Sequence, residues 1–300
     1  VPAAPSADTD GDGLDDSVET NTGTYVSETD TGTDPNNADT DGDGVPDGLE
    51  ITEGTDPTDD LIFNRFSADM AAYYPFDGNA NDESGNEING QTADHVSFSS
   101  DRFGNPNSAL RIEGERSNID GYGVTGSGMY LQDSSVSISF WYQKQVDNYD
   151  DWVIGVGDDG DCWIVNIDYA APTGIGWGVW NDDSVRYNLN PPLALEQWCH
   201  VVVTYDKNNT KKCIYVDGEL VSEGYTDYSF TGTSNFKFGA SGITLDDLRF
   251  YNRALYSPEV SALYYSEAPQ FQVIEGSFTW QEAKADAEAR GGRLAVLNTQ

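Results

Sequence analysis

Trp198-Cys-His-Val-Val-Val-Thr-Tyr-Asp206 is followed by Lys207-Asn-Asn-Thr210, Lys211-Lys-Cys-Ile-Tyr-Val216, Asp217-Gly218 and Glu219-Leu-Val221. Runs of β-branched and aromatic residues separated by turn formers read as strands. Val201–Tyr205 and Lys211–Val216 form a hairpin that turns at Lys207–Thr210. Asp-Gly at 217–218 signals a tight second turn, because Gly takes positive φ without cost. Outward from this meander the same punctuation recurs. Val136-Ser-Ile-Ser-Phe140, Trp152–Gly157, Cys162–Ile167, Ile175–Trp180 and Phe236–Gly239 are short strands between Gly, Asn and Asp turns. From Ala68 to Glu267 the pattern is all-β, closed by one short helix entered at Ser257-Pro258, where Ser can cap and Pro suits the first turn. A segment of about 200 residues can bury a substantial core, and a two-sheet sandwich is the expected architecture.

The same reading predicts free thiols. If Tyr205 faces Lys211, then Cys213 faces Val203 and Cys199 faces Asp217. Those two sulfurs would be too far apart to bond. Three cysteines, Cys162, Cys199 and Cys213, allow at most one bridge.

A different chemistry governs the N-terminal arm. Asp39, Asp41, Asp43, Asp47 and Glu50 occupy positions 1, 3, 5, 9 and 12 of a loop whose sixth residue is Gly44. That is calcium-loop spacing: alternate side chains of a curled segment converge, the Val45 carbonyl adds a ligand, and Glu50 closes the shell. Asp8, Asp10, Asp12, the Leu14 carbonyl, Asp16 and Glu19 repeat it around Gly13. Oxygen donors select a hard cation. Paired EF-hands do not fit, since position 8 is Pro46 in one loop and Asp15 in the other, and turn formers precede the second loop.

Composition bounds the partners. The net charge is −37, from 52 acids and 15 bases. Such a chain repels nucleic acid and anionic lipid. Residues 1–60 carry 18 acids and no Lys or Arg. Their few large apolar residues cannot build a core, so metal must supply the order. No apolar run is long enough to span a membrane. Calcium loops of this class are weak, with dissociation constants of about 10⁻⁴–10⁻³ M, and fill outside cells. A secreted or surface-attached protein is therefore expected; the start at Val-Pro-Ala-Ala-Pro reads as a processed or excised chain.

The units DTDGDGLDD and TGTDPNNADTDGDGVPDG resemble thrombospondin type 3 repeats, which wrap calcium in almost helix-free chain. That resemblance adds Asp34 and Asp56, the Asp of each Thr-Asp-Pro turn, as further candidate ligands. Ala72-Tyr-Tyr-Pro-Phe-Asp77, Asp82-Glu-Ser-Gly-Asn86, Asp101-Arg-Phe-Gly-Asn105, Trp198–Asp206, Tyr215-Val-Asp-Gly218 and Leu245-Asp-Asp-Leu-Arg-Phe-Tyr251 resemble, in order, the laminin G-like, concanavalin A-like jelly roll. The resemblance implies a calcium ion shared by Asp82 and Asp246 or Asp247. The alternative is that these Asn and Asp residues only make turns. Phe271–Asn298, with Trp280, Ala283 and Ala287 at helical spacing before Gly291-Gly292, resembles the start of a C-type lectin-like domain. The expected organisation is calcium-binding repeats over 1–60, a jelly roll over 66–267 and an incomplete lectin-like start over 268–300.

Function is less determined. The jelly-roll fold hosts lectins, adhesion modules and glycosidases alike. No E-x-D-x-x-E strand, G-x-S-x-G elbow, H-E-x-x-H helix or glycine-rich phosphate loop occurs. The only histidines are His95 and His200, and His200 belongs to a strand motif. The leading expectation is a non-enzymatic, calcium-binding adhesion or carbohydrate-binding segment whose partner is an extracellular glycan or surface protein. A structural spacer and a glycoside hydrolase are the alternatives. Trp177 and Trp180 are the candidate stacking platforms, against the competing reading that both are core.

Overall fold

The computed structural model describes residues 7–42, 46–53, 56–59, 70–113, 123–131, 134–145, 151–158, 161–167, 174–179, 182–189, 193–226, 233–239, 242–268 and 279. In chain order the elements are α1 (Asp47–Glu53), β1 (Met70–Tyr74), β2 (Gln91–Thr92), β3 (Val96–Ser99), β4 (Ala109–Ile112), β5 (Val124–Ser127) and β6 (Val136–Lys144). Then come β7 (Asp151–Asp158), β8 (Asp161–Ile167), β9 (Gly174–Val179), β10 (Asp182–Asn188), β11 (Trp198–Asp206) and β12 (Lys211–Val216). Last are β13 (Glu219–Tyr225), β14 (Asn235–Phe238), β15 (Ile243–Tyr251) and α2 (Ser257–Glu267).

Two antiparallel sheets form a sandwich. One has eight strands in the order β13-β12-β11-β6-β15-β4-β3, with β1 also paired to β15. The other has seven in the order β10-β9-β8-β7-β14-β5-β2. Inward rows of both sheets make the core. Tyr74, Phe76, Phe236, Phe238 and Phe250 cluster there, with ring centroids 5.0–6.3 Å apart for the Tyr74–Phe238 and Tyr74–Phe250 pairs. Alternation along β11 sends Val201, Val203 and Tyr205 into this core. Val202 points to the opposite face, where Tyr215, Tyr251 and Cys213 join Val260, Ala262 and Leu263 of α2. Strand β11 is buried on both sides because a helix covers its outer face, which explains its unbroken apolar run.

The hairpin register differs from expectation by one residue. Tyr205 pairs with Lys212 and Thr204 with Cys213, because Asp206 still pairs, with Lys211, before the turn begins. Cys199 and Cys213 are free and buried. The side chain of Cys162 lies outside the described residues. The cap of α2 also differs. Tyr256 holds the N-cap position, its carbonyl accepting from Val260 N–H at 3.0 Å and its own N–H donating to Glu259 Oε2 at 2.8 Å. Ser257 instead places Oγ 3.2 Å from the Tyr215 hydroxyl.

The Asp217-Gly218 turn has positive φ at both residues, 50° and 82°. It tucks under α2: Ser261 Oγ donates to the Gly218 carbonyl at 3.0 Å, and a Cβ on Gly218 would meet Tyr264 Cδ1 at 3.1 Å. Gly218→Ala is therefore expected to cost about 1–2 kcal/mol through left-handed backbone strain, read as a lower urea midpoint. An unchanged midpoint would show that the turn relaxes freely.

The chain divides into two compact units, Val1–Glu267 and Ala268–Gln300. Within the first, α1 and α2 come within 8 Å, Cα to Cα. Apart from Ala268 and Thr279, the stretch expected to start a lectin-like domain lies outside the described residues.

Candidate functional site

The two arm loops fold by the same local rules. Asp8 Oδ1 accepts from Gly11 N–H at 2.7 Å, and Asp39 Oδ1 from Gly42 N–H at 2.9 Å. Asp16 accepts from the Thr9 N–H and hydroxyl, and Asp47 from those of Thr40, all at 2.7–2.8 Å. Short side chains bonding nearby backbone curl each loop without a helix before it. The second loop exits into α1, so the arm is not wholly helix-free. Asp43 and Val45 lie outside the described residues.

Two groups of carboxylates converge, with ligand oxygens within 4.8 Å of one another: Asp8, Asp10 and Asp12, and Asp12, Glu19 and Asp47. Leu14 N–H donates to Asp12 Oδ1 at 2.7 Å, which turns the chain around the first group. Glu19 and Asp47 are buried, as is Glu50, at 5%, 0% and 1% exposure. Glu19 Oε1 accepts from Thr33 Oγ1 at 3.2 Å, whereas Glu19 Oε2 is buried with no hydrogen-bond partner. Burial and the nearby Asp10 and Asp12 charges push Glu19 up to about 7. Burial, only partly offset by the Thr40 hydrogen bonds, pushes Asp47 up to about 6. An all-oxygen set with an orphaned, buried carboxylate oxygen suits a hard divalent cation such as calcium. Asp34 and Asp56 do not join either group. Asp34 Oδ1 accepts from Asn36 and Asp56 Oδ1 from Thr58, so each closes its own turn.

In the sandwich, the expected calcium position is filled differently. Asp82 Oδ1 accepts from Tyr73 and Ser84 N–H, and Oδ2 from Ile88 N–H, at 2.9–3.0 Å. Burial alone would raise this carboxyl, but those N–H donors hold it below the ordinary value. Asp246 and Asp247 instead meet Arg102. Its Nη1 lies 2.6 Å from Asp246 Oδ2 and its Nη2 2.7 Å from Asp247 Oδ2. A bulge makes this possible, since the β15–β6 register shifts between Asp246 and Arg249 and Asp247 takes φ 46°. Consecutive side chains, normally on opposite faces, then share one guanidinium. Asp82 is thus satisfied by local backbone donors, as a turn-making Asp is, whereas Asp246 and Asp247 take a guanidinium as their partner.

The patch extends to the end of α2. Arg102 Nε donates to the Glu267 carbonyl and Trp141 Nε1 to Glu267 Oε2, both at 2.8 Å. Arg249 pairs with Glu267 Oε1 and with Asp247 Oδ1. His200, fully buried beside Trp141, is pushed down to about 3 by burial and by Arg249 and Arg102, so it stays neutral. These groups dock the helix through Glu267.

Trp177 is fully buried, with Nε1 donating to the Thr204 carbonyl across the sandwich at 2.8 Å. It faces inward because it pairs with Val165 and Val185 on the core side of its sheet, so it cannot be a sugar platform. Trp180 lies outside the described residues. One open feature of the seven-stranded sheet, among the described residues, is a cleft of ≈ 780 Å³ lined by Asn89, Gln91, Thr125, Ser127, Asn235 and Lys237, with Gly126, Gly157 and Phe236 between them. Gln91 pairs with Thr125, which pairs with Lys237, so three polar side chains cross three strands in one row. Sequence reading missed this row because each residue looks like ordinary polar alternation.

Residues 116–261 match the family model for the concanavalin A-like lectin/glucanases superfamily, and residues 8–24 and 39–60 match the bacterial TSP3 repeat. The protein is thus mostly β, a two-sheet sandwich similar to the concanavalin A-like fold, preceded by a segment similar to TSP3 repeats. Similar solved structures include the botulinum neurotoxin serotype G binding domain (15% identity, TM-score 0.52, 66% of this chain, 51% of that one). Two others are the binding domain of Paraclostridial Mosquitocidal Protein 1 (16%, 0.54, 67%, 52%) and the botulinum neurotoxin serotype C1 binding domain (14%, 0.54, 67%, 53%). The chain spans about half the length of these structures, and the likeness concerns fold. No curated protein matches it. Among the described residues, no helix is long and apolar enough to cross a membrane.

Proposed function

We propose that this chain is a non-enzymatic binding segment of a secreted or surface protein, with a calcium-ordered arm and a sandwich that recognises an extracellular glycan. The cleft on the seven-stranded sheet carries the reading. Its amides, hydroxyls and ammonium group offer donors and acceptors at several points, as sugar hydroxyls require. Hydrolysis would need a pair of carboxyl groups flanking the scissile bond, and no Asp or Glu lines this cleft among the described residues. The matched superfamily's description names lectins and glucanases alike, which supports a carbohydrate-directed fold, and the neighbouring structures, titled as binding domains, favour binding.

A glycan array probed with the whole chain tests it. Gln91→Ala with Thr125→Ala removes two exposed polar groups of the row without touching the core. Each lost hydrogen bond is worth about 1 kcal/mol, so affinity for the array hit should fall about tenfold or more, at an unchanged melting temperature. Unaltered binding by the variant, or no glycan bound by the parent chain, would overturn the assignment.

A further inference from the structure

We propose that Asp12, Glu19 and Asp47 hold one calcium ion shared by the two repeats, so that each repeat completes the site of the other. The inference rests on the calcium reading of the arm and changes its unit: spacing alone assigns Asp47 to the second loop, whereas the fold delivers it to the first. Three observations carry it. The ligand oxygens of Asp12, Glu19 and Asp47 lie within 4.8 Å of one another, the span set by two calcium–oxygen bonds of about 2.4 Å. Glu19 is 5% exposed, and its Oε2 is buried without a hydrogen-bond partner. The repeats are also pinned together beside the group: Gly48 N–H donates to Asp12 Oδ2 at 2.9 Å, and a Cβ on Gly48 would lie 2.3 Å from the Asp12 carbonyl oxygen. Only glycine after Asp47 allows this approach.

Two buried carboxylates and one half-buried one, gathered in a segment without Lys or Arg, repel one another unless a cation lies between them. Asp12 also belongs to the Asp8–Asp10–Asp12 group, so it links the first loop's own ligands to the shared ion. Filling the shared site then orders both loops at once, because its ligands come from both.

Hydrogen exchange of the whole chain across a calcium titration tests this, with Asp47→Asn, Asp39→Asn and Glu19→Gln as variants. Asp47→Asn keeps an acceptor for Thr40 and removes one charge. It should raise the calcium midpoint for protection of Asp8–Glu19 about tenfold or more, although the substitution lies in the other repeat. Asp39→Asn, a second-loop residue outside the shared group, should shift 39–42 and leave Asp8–Glu19 in place. Glu19→Gln should raise the midpoint of Asp47–Glu53. An Asp47→Asn effect confined to its own repeat would overturn the shared site while leaving the calcium reading intact, as would equal first-loop shifts from Asp39→Asn. If saturating calcium fails to restore the Asp47→Asn arm, Glu19→Gln decides, and an unmoved Asp47–Glu53 midpoint counts against the proposal. A parent chain whose arm ignores calcium would defeat the underlying reading itself.

Discussion

Arg102→Ala is expected to destabilise the sandwich by about 3–5 kcal/mol, the usual cost of removing one partner from a buried ion pair. The guanidinium serves Asp246, Asp247 and the Glu267 carbonyl and lies over the Trp141 ring at 4.7 Å. Without it, two adjacent carboxylates remain in a dry setting. Burial and the Asp247 charge already push Asp246 up to about 8, while Arg249 and Arg102 together outweigh burial at Asp247 and hold it low. The variant should therefore regain stability as pH falls towards the ordinary carboxyl range, because the folded chain holds a proton on Asp246 that the unfolded chain has released. Adding Asp246→Asn to Arg102→Ala should recover part of the loss at neutral pH. Arg111→Ala provides contrast: its pair with Glu113 is solvent-exposed, at 36% and 54%, and such pairs contribute about 0–1 kcal/mol. Urea unfolding followed by tryptophan fluorescence reads all four chains. A loss below about 1 kcal/mol for Arg102→Ala would show that water compensates the carboxylates and that the patch is not sealed.

Chelation is expected to abolish exchange protection over Asp8–Glu19 and Asp47–Glu53 at pH 7 while leaving β6, β11 and β15 protected. The arm has no basic residue in 1–60, and much of its buried surface is polar, including Thr31, Thr33, Glu19, Asp47 and Glu50. Ordering such a chain costs about 1–2 kcal/mol per residue in backbone entropy, which only metal coordination offsets here. The sandwich has its own hydrophobic core, so its protection should persist in chelator. The pH dependence has a definite sign. Glu19 and Asp47 are pushed from ordinary values of 4.5 and 3.8 up to about 7 and about 6. The folded arm therefore holds protons that the unfolded arm has released, and the metal-free arm loses stability as pH rises through that window. In chelator, partial protection should return near pH 5. Calcium should reverse the trend, since it binds the ionised carboxylates. Equal protection with and without calcium at pH 7 would sink the account.

Much of this molecule was legible locally. The Asp217-Gly218 turn, the Lys207–Thr210 turn and the strands around them follow from φ preferences and alternation that involve only neighbours. The carboxylate spacing of the arm was equally readable, because Asp8, Asp10 and Asp12 converge within five residues. Reading failed where a side chain's partner lies far along the chain. The resemblance suggested metal at Asp246 and Asp247, and gave no sign of their pairing with Arg102, 144 residues away in sequence from Asp246. That contact depends on a bulge in β15, and one extra residue in a strand leaves no mark in composition.

By itself the sequence determined the all-β sandwich, the helix beginning at 257 and an arm of closely spaced carboxylates without Lys or Arg, because alternation, turn chemistry and charge balance are properties of short windows. Tertiary structure alone decided that Trp177 points inward, that Cys213 sits opposite Thr204, that a polar row crosses β2, β5 and β14, and that Asp47 meets Asp12 and Glu19 of the other repeat. The physical reason is common to all four. Which face of a strand is buried, and which loop meets which, depends on how separate elements pack and register, and a shift of one residue reverses the answer.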